Sequence, residues 1–156
     1  MIHKAPAISE TIKTEVVCPN DTNPMGILQG GKLVQWMDIA AAVCAQTHAE
    51  KICVTAVINR VDFKQPAYTG DMISIHAKIT RAFTSSMEIF AQASARNVLT
   101  GNNYLFSEAY SIVVAIGYEL RSGPVPPVNP VTQLDRDRTN ALVTRKDGVY
   151  AMRGQV

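Results

Sequence analysis

A chain of 156 residues with 47% hydrophobic and 18% charged residues suits one globular domain with a buried core and is too apolar to be disordered. Its net charge of +2, spread over scattered basic residues, excludes the strongly basic surface of a typical nucleic-acid-binding protein. The sequence contains no apolar run of 18 residues and no signal-peptide core at its start, so we expect a cytoplasmic protein without a membrane span. Three widely spaced cysteines favour neither a disulfide framework nor a zinc cluster, and we expect no metal or cofactor.

The first part of the chain predicts one strand and one long helix. Residues 8–17 alternate as a strand does, and residues 19–24 are dense in turn formers. A helix is predicted from Gly30-Gly31 to about Ala49, because apolar residues recur there with the period of a helix. Many of its residues are alanine, and such small side chains let a sheet wrap closely around a helix.

The remainder predicts four long strands, followed by a tail. The strands span residues 52–63, 72–82, 86–97 and 104–118. Because no helices separate them, they should form an antiparallel meander. Four prolines then predict an extended linker, and a short polar helix is expected from about residue 131 to residue 144. We therefore divide the chain into a domain of residues 1–123 and a tail of residues 124–156.

Asp38 is the residue of the predicted helix that its apolar pattern does not explain. It lies at the edge of the apolar stripe, and the residues three and four positions away from it carry no charge. A carboxylate in such surroundings is costly without a partner. Asp38 therefore either caps a group across an interface or takes part in chemistry.

Three further features offer groups that could assist a carboxylate. The N–H groups near Gly30 and Gly31 lie at a predicted helix N-terminus, where donors are unpaired and glycine permits close approach of a carbonyl. Asn23 carries an amide that could orient water or a carbonyl, and Thr55 could hydrogen-bond Asp38. Each also has an ordinary explanation: a tight turn for the glycines, a turn residue for Asn23 and a strand residue for Thr55.

An α/β-hydrolase mechanism is disfavoured by the sequence. The three histidines, His3, His48 and His76, form no recognisable triad or metal pair. No Gly-x-Ser-x-Gly nucleophile elbow occurs either.

Motifs spread over residues 8–118 resemble, in their order and spacing, the hotdog-fold acyl-CoA thioesterases, in particular the acyl-CoA hydrolase group. The motifs are Asp21-Thr22-Asn23, Gly30-Gly31, Trp36-Met37-Asp38, Val54-Thr55-Ala56, Val61-Asp62-Phe63, Pro66, Gly70-Asp71 and Thr84-Ser85-Ser86-Met87. Gln29 departs from the pattern, since relatives often carry His or Phe before the double glycine. The departure concerns the range of substrates more than the reaction.

The resemblance implies an α+β hotdog fold, in which a curved antiparallel sheet wraps a long central helix. It also implies that two subunits join their sheets edge to edge and share active sites, with many members forming hexamers as trimers of dimers. Asp38 of one subunit and Asn23 of the other would be the catalytic pair, and Gly31 and Thr55 complete the candidate catalytic set. Asp38 would act either as a general base or as a nucleophile.

The predicted function is hydrolysis of acyl-CoA thioesters to free fatty acid and CoA. The phosphates of CoA need cationic or N–H partners, and the candidate CoA-binding residues are Gly30, Arg60, Val61, Arg81, Thr84, Ser85 and Ser86. The alternative is a non-catalytic acyl-CoA-sensing module of the same fold. A hotdog dehydratase is less favoured, because that chemistry typically uses a histidine and none lies between Asn23 and Asp38.

Overall fold

The computed structural model describes residues 1–117 and 119–140, apart from the side chain of Arg60. Its strands are β1 (Thr11–Val16), β2 (Ile52–Phe63), β3 (Met72–Ala82), β4 (Ser86–Arg96) and β5 (Asn103–Ile116). One long helix, α1, spans Gly30–Ala49, and the chain is helical again over residues 133–140, here named the tail helix. Among the described residues no helix is long and apolar enough to cross a membrane.

The five strands form one antiparallel sheet in the order β1-β3-β4-β5-β2. Strands β3, β4 and β5 form the predicted meander, but the prediction for β2 was wrong. This strand pairs with β5 instead of with its successor β3, because residues 64–71 carry the chain from the β2 edge of the sheet to β3 near the opposite edge. Strands β1 and β2 thus become the two edges.

The first strand is also shorter than predicted. Ile8, the predicted first residue of the strand, instead ends a 3-10 turn that spans Pro6–Ile8, and β1 begins only at Thr11. Proline at the first position of this turn accounts for the difference, since its fixed φ suits a helical turn and its missing N–H cannot join a ladder.

The core lies between α1 and the inner face of the sheet. On α1 the small residues Ala41, Cys44 and Ala45 are completely buried. On the sheet, Ile75 and Ile89 are completely buried as well, as the predicted alternation of β3 and β4 requires. Burial raises the pKa of the Cys44 thiol to about 11, so this residue acts as a small apolar side chain of the core.

The two ends of the described chain meet at the C-terminal end of α1. The backbone N–H of Lys4 donates to Pro127 and that of Asn129 donates to Lys4. His48 Nε2 donates to the carbonyl of Pro126 at 2.7 Å, and burial lowers the pKa of this imidazole. A neutral histidine therefore anchors the linker to the helix.

The predicted polar tail helix packs on the outer face of the sheet. Lys78 Nζ lies 3.0 Å from Asp135 Oδ1, and Thr139 Oγ1 donates to the carbonyl of Thr80 at 2.6 Å. The guanidinium of Arg138 lies 4.6 Å from the centroid of the Phe90 ring. Residues 141–144 of the predicted helix lie outside the described residues, and the domain boundary at residue 123 stays a prediction.

Asp135 joins this helix to the sheet. Burial by itself would raise the pKa of Asp135, but hydrogen bonds from Thr132 and the charge of Lys78 outweigh it, so the pKa lies below its usual value. The side chains of Thr132 and Asp135 also cap the helix. The backbone N–H of Thr132 donates to Asp135 Oδ2 at 3.1 Å, and the backbone N–H of Asp135 donates to Thr132 Oγ1 at 3.0 Å.

We expect Asp135→Ala to lower the free energy of unfolding by about 1–3 kcal/mol, because it leaves Lys78 and the helix cap without their acceptor. Asp137→Ala, on the exposed side of the same helix, is the matched control and should have little effect. Since the folded-state pKa of Asp135 is depressed, its contribution is present above about pH 4 and is lost as pH falls through that pKa. Denaturant titrations at pH 7 and in acid measure this, and equal losses for the two variants at pH 7 would contradict it.

Candidate active site

Asp38 lies two turns into α1 and is held by the edge strand β2. Thr55 Oγ1 donates a hydrogen bond of 2.6 Å to Asp38 Oδ1. This bond is as short as expected for a hydroxyl that donates to a carboxylate. No other side-chain hydrogen bond or salt bridge among the described residues involves Asp38, so no side chain or backbone donor occupies Oδ2. The predicted contact between Thr55 and Asp38 is present.

Exposed apolar residues flank the free edge of β2 on both faces of the sheet. Two lie on α1, on the same face as Thr55, and two alternate with Thr55 along β2 and so point to the outer face. Ile39 and Val43 of α1 are each 43% exposed, and Ile52 and Val54 of β2 are 72% and 46% exposed. We call these four residues the β2-edge surface. Strand β2 pairs only with β5 among the described strands, so no strand covers its other edge beside Asp38, where Gln46 of α1 accepts from the Cys53 N–H at 3.3 Å.

Asn23 has its side-chain amide fixed in one orientation. Its Oδ1 accepts from the backbone N–H of Met25 at 2.9 Å and from that of Ile27 at 3.2 Å. A reversed amide would place its NH2 group against these two N–H donors, so the orientation is determined. The Nδ2 group has no acceptor among the described residues and is the end that can donate to a ligand.

Gln29 and Asp21 tie the loop of Asn23 to the start of α1. Gln29 Nε2 donates to the carbonyl of Thr22 at 3.0 Å, and the Gln29 backbone N–H donates to the carbonyl of Asp21 at 2.9 Å. Lys32 of the first helical turn lies 3.5 Å from Asp21. Gln29, which departs from the family pattern, thus links the loop of Asn23 to the start of α1 in this chain.

The N-terminus of α1 offers two backbone donors. The N–H groups of Lys32 and Leu33 donate to Gln29, whereas those of Gly30 and Gly31 have no partner among the described residues. A Cβ added at Gly30 would lie 3.2 Å from Phe63, but one added at Gly31 would meet nothing within 4 Å. The space beside Gly31 is therefore open to a ligand.

Within one chain the candidate catalytic residues form two separate groups. The loop of Asn23 is hydrogen-bonded to the start of α1, where Gly31 lies, and Asp38 lies with Thr55. Gly31 and Asp38 are seven residues apart on one helix, which corresponds to about 10 Å along its axis. A carbonyl bound at the Gly31 N–H is then beyond the reach of Asp38 of the same chain, because reacting atoms must come within about 3–3.5 Å.

The candidate CoA-binding residues are not gathered within one chain either. Val61 lies on the edge strand β2, whereas Arg81 ends β3 and Thr84-Ser85-Ser86 form the turn into β4. Strand β5 separates β2 from β4, so the two sets are about 10 Å or more apart. Arg81 packs its guanidinium 5.8 Å from the Phe83 ring.

An apolar cavity of about 310 Å³ adjoins the start of α1, and the sequence did not predict it. Its walls include Ile27, Leu33, Phe63 and Phe106. The signal was two short apolar pairs in loops, Ile27-Leu28 and Pro66-Ala67, which no strand or helix pattern explains.

Comparison with known proteins identifies the family. The family model of the thioesterase superfamily matches residues 25–100. An uncharacterised acyl-CoA thioester hydrolase of Bacillus subtilis is 34% identical over 137 residues, which cover 88% of this chain and 80% of the relative. The chain belongs to the acyl-CoA thioester hydrolases of the thioesterase superfamily. It is an enzyme of the predicted class, and the predicted thioester hydrolysis is confirmed.

Solved structures of acyl-CoA thioesterases match this chain over nearly its whole length, which confirms the predicted hotdog fold. A hexameric acyl-CoA thioesterase without ligand is 34% identical, with 95% of each chain covered and a TM-score of 0.92. An acyl-CoA hydrolase from Staphylococcus aureus, in complex with butyryl-CoA, CoA and CoA disulfide, is 32% identical, with 97% of this chain and 93% of that chain covered and a TM-score of 0.91. By contrast, the chain spans only 20% of the acetyl-CoA thioesterase of mouse, which it also resembles.

The hydrogen bond between Thr55 and Asp38 can be tested without change of shape. Thr55→Val removes the hydroxyl at nearly constant volume and should lower kcat about tenfold or more, since a lost hydrogen bond to a charged group costs about 1.5–3 kcal/mol. Thr55→Ser keeps the donor and should retain most of the activity. Steady-state kinetics with an acyl-CoA substrate and thermal unfolding of both variants check this. Equal rates for Val and Ser variants of equal stability would exclude a role for the hydroxyl.

Proposed function

We propose that hydrolysis takes place at sites shared between two subunits, where Asp38 and Thr55 of one subunit face Asn23 and Gly31 of the other. The observation that carries this proposal is the separation of about 10 Å between Gly31 and Asp38 along one helix. A thioester that uses both groups must receive them from different chains.

Each group then has a chemical role. Asp38 Oδ2 accepts a proton from a water molecule as the oxygen of that water attacks the thioester carbonyl carbon. The Gly31 N–H and Asn23 Nδ2 donate to the carbonyl oxygen, where negative charge develops. Collapse of the tetrahedral intermediate breaks the C–S bond and releases CoA thiolate, which takes up a proton, together with the carboxylic acid.

A nucleophilic Asp38 is the alternative chemistry. Its Oδ2 would attack the carbonyl carbon, expel CoA thiolate and form a mixed anhydride, which water would then hydrolyse. Single-turnover hydrolysis in 18O-labelled water separates the two pathways, because attack of water on the Asp38 carbonyl leaves label in the protein. The general-base pathway leaves label only in the acid.

A solved relative supports this choice of residues. Structures of the acyl-CoA hydrolase from S. aureus include alanine variants of one asparagine, one aspartate and one threonine. These three residues have the same spacing along that chain as Asn23, Asp38 and Thr55 have here.

The β2-edge surface supports a dimer with a continuous sheet. Strand β2 is 12 residues long, and an exposed edge of that length invites pairing with another strand. Pairing of two β2 edges about a twofold axis would satisfy the free edge and bring the α1 helices of both subunits, with the exposed Ile39 and Val43, together. We propose this dimer as the smallest active unit.

A hexamer formed as a trimer of dimers requires a second, different interface on every subunit. Ile12 and Val16 of β1 are candidates, since they are 60% and 51% exposed on the outer face of the sheet. The half-buried Lys13 and Glu15 occupy the inner face instead and form an ion pair of 2.8 Å. This reversal of the usual strand pattern favours contact of the outer face with another subunit.

Three further expectations belong to the proposal. The phosphates of CoA should bind near Arg81 and Thr84-Ser85-Ser86 of one subunit, or near Arg60 and Val61 of another. The reaction should need neither metal nor added cofactor. The enzyme should work in the cytoplasm.

The decisive experiment is release of CoA thiol from short, medium and long acyl-CoAs by the purified protein. Rates equal to those in buffer alone across the whole panel would favour the acyl-CoA-sensing alternative.

Mixed dimers test the shared site. Asp38→Ala alone should lower kcat at least about 100-fold, the low end for loss of a positioned acid or base. Co-expressed Asn23→Ala and Asp38→Ala subunits should regain up to about a quarter of wild-type activity, because half of the dimers are mixed and one of their two sites is intact. Native mass spectrometry verifies the mixing. Mixed dimers without activity would show that each site is built from one chain.

Gly31→Ala should separate activity from stability. Alanine favours helix over glycine by up to about 1 kcal/mol, and the added methyl group meets no protein atom, so the melting temperature should not fall. The same methyl group would occupy the space of the carbonyl oxygen and should lower kcat/KM at least about tenfold. Unchanged kcat/KM would remove the Gly31 N–H from the mechanism.

A further inference from the structure

The cavity beside α1 is apolar except at its mouth. Leu28, Leu33, Ala67 and Phe106 line it and are buried. The polar residues that line it are Lys64 and Gln65, and both are exposed. The interior therefore offers a ligand no side-chain hydrogen-bond partner.

The cavity opens next to the donors proposed to hold the thioester carbonyl. The Phe63 ring forms one wall and lies against Gly30, since an added Cβ there would lie 3.2 Å from the ring. Ile27 forms another wall, and its backbone N–H donates to Asn23 Oδ1. A carbonyl held by Gly31 and Asn23 thus stands at the entrance.

Two chains extend from the thioester group, the acyl chain and the pantetheine arm of CoA. Only one of them suits this apolar cavity. The pantetheine arm contains two amides, which are costly to bury without hydrogen bonds. The acyl arm is a hydrocarbon chain that gains from transfer out of water. We propose that this cavity binds the acyl chain of the substrate and that Phe63 and Ala67 limit its length, an inference that rests on the proposed site at Gly31 and Asn23.

The size of the cavity indicates the class of acyl group. Its volume of about 310 Å³ is at the lower limit of small-molecule pockets. If a methylene group needs about as much room as a water molecule in the liquid, about 30 Å³, the cavity holds at most on the order of ten carbons, because part of its volume is open to solvent. Short and medium chains therefore fit, while longer ones require the Phe63 ring, which is 56% exposed, to move aside.

Two substitutions of opposite effect on volume test this. Ala67→Leu fills the cavity and should lower the ratio of kcat/KM for decanoyl-CoA to kcat/KM for acetyl-CoA at least about tenfold. Phe63→Ala enlarges it and should shift the preferred chain to a longer one. Ala7→Leu, an exposed site far from the cavity, is the matched control and should leave the ratio unchanged.

Binding measurements make the test independent of turnover. S-alkyl-CoA thioethers cannot be hydrolysed, and their affinity for wild-type enzyme should rise up to about fourfold per methylene until the cavity is full. The rise should end at a shorter chain in Ala67→Leu. An affinity that does not depend on chain length, or an equal loss with ethyl and decyl thioethers in Ala67→Leu, would overturn the proposal. If the wild type binds thioethers in this way but hydrolyses no thioester, the proposed catalytic site fails and the cavity assignment stands.

Discussion

The close fit between α1 and the sheet determines where every group of the candidate site lies. Ala40, Ala41, Cys44 and Ala45 are at most 1% exposed, and their short side chains let the strands approach the helix closely. Larger residues at these positions would push the sheet away or force strained rotamers. Because the small residues fix which side of α1 faces the core, they also fix the side that carries Asp38. That side faces the edge strand β2 and not the centre of the sheet.

The position of Asp38 at the edge of the sheet lowers the free-energy cost of placing a carboxylate on an apolar helix. In the centre of the core, Asp38 would lose its hydration, and among the described residues no cation pairs with it. At the edge, it keeps contact with water in the separated subunit and gains the hydrogen bond from Thr55. The same position leaves one carboxylate oxygen available. Residues chosen only for stability would pair this carboxylate fully, so the half-satisfied state is more typical of a reacting group.

Local patterns predicted the elements of this fold better than their partners. The bounds of α1, β2 and β3 agree with the sequence prediction, because apolar periodicity and turn residues act within a few positions of each other. The place of β2 beside β5 was missed, since it depends on where the chain crosses the sheet and not on the residues of β2. The contact between Thr55 and Asp38 was predicted from a motif. The free Nδ2 of Asn23 was not, because it depends on which backbone donors lie around Oδ1.

Hydrogen bonds hold the loop of Asn23 against the start of α1, so the half of the candidate site formed by Asn23 and Gly31 is rigid within one chain. Asn23 is tied to its own turn, that turn is tied through Gln29 and Asp21 to α1, and α1 carries Gly31. The distance between the amide donor and the helix donors is therefore set before any substrate arrives, as electrostatic stabilisation of a transition state requires. Asp38 is also held in place, but by Thr55 of β2 and not by the loop of Asn23. In the proposed shared site, assembly of the subunits would bring these two preformed halves to bonding distance, so catalytic geometry would depend on the interface more than on movement within either chain.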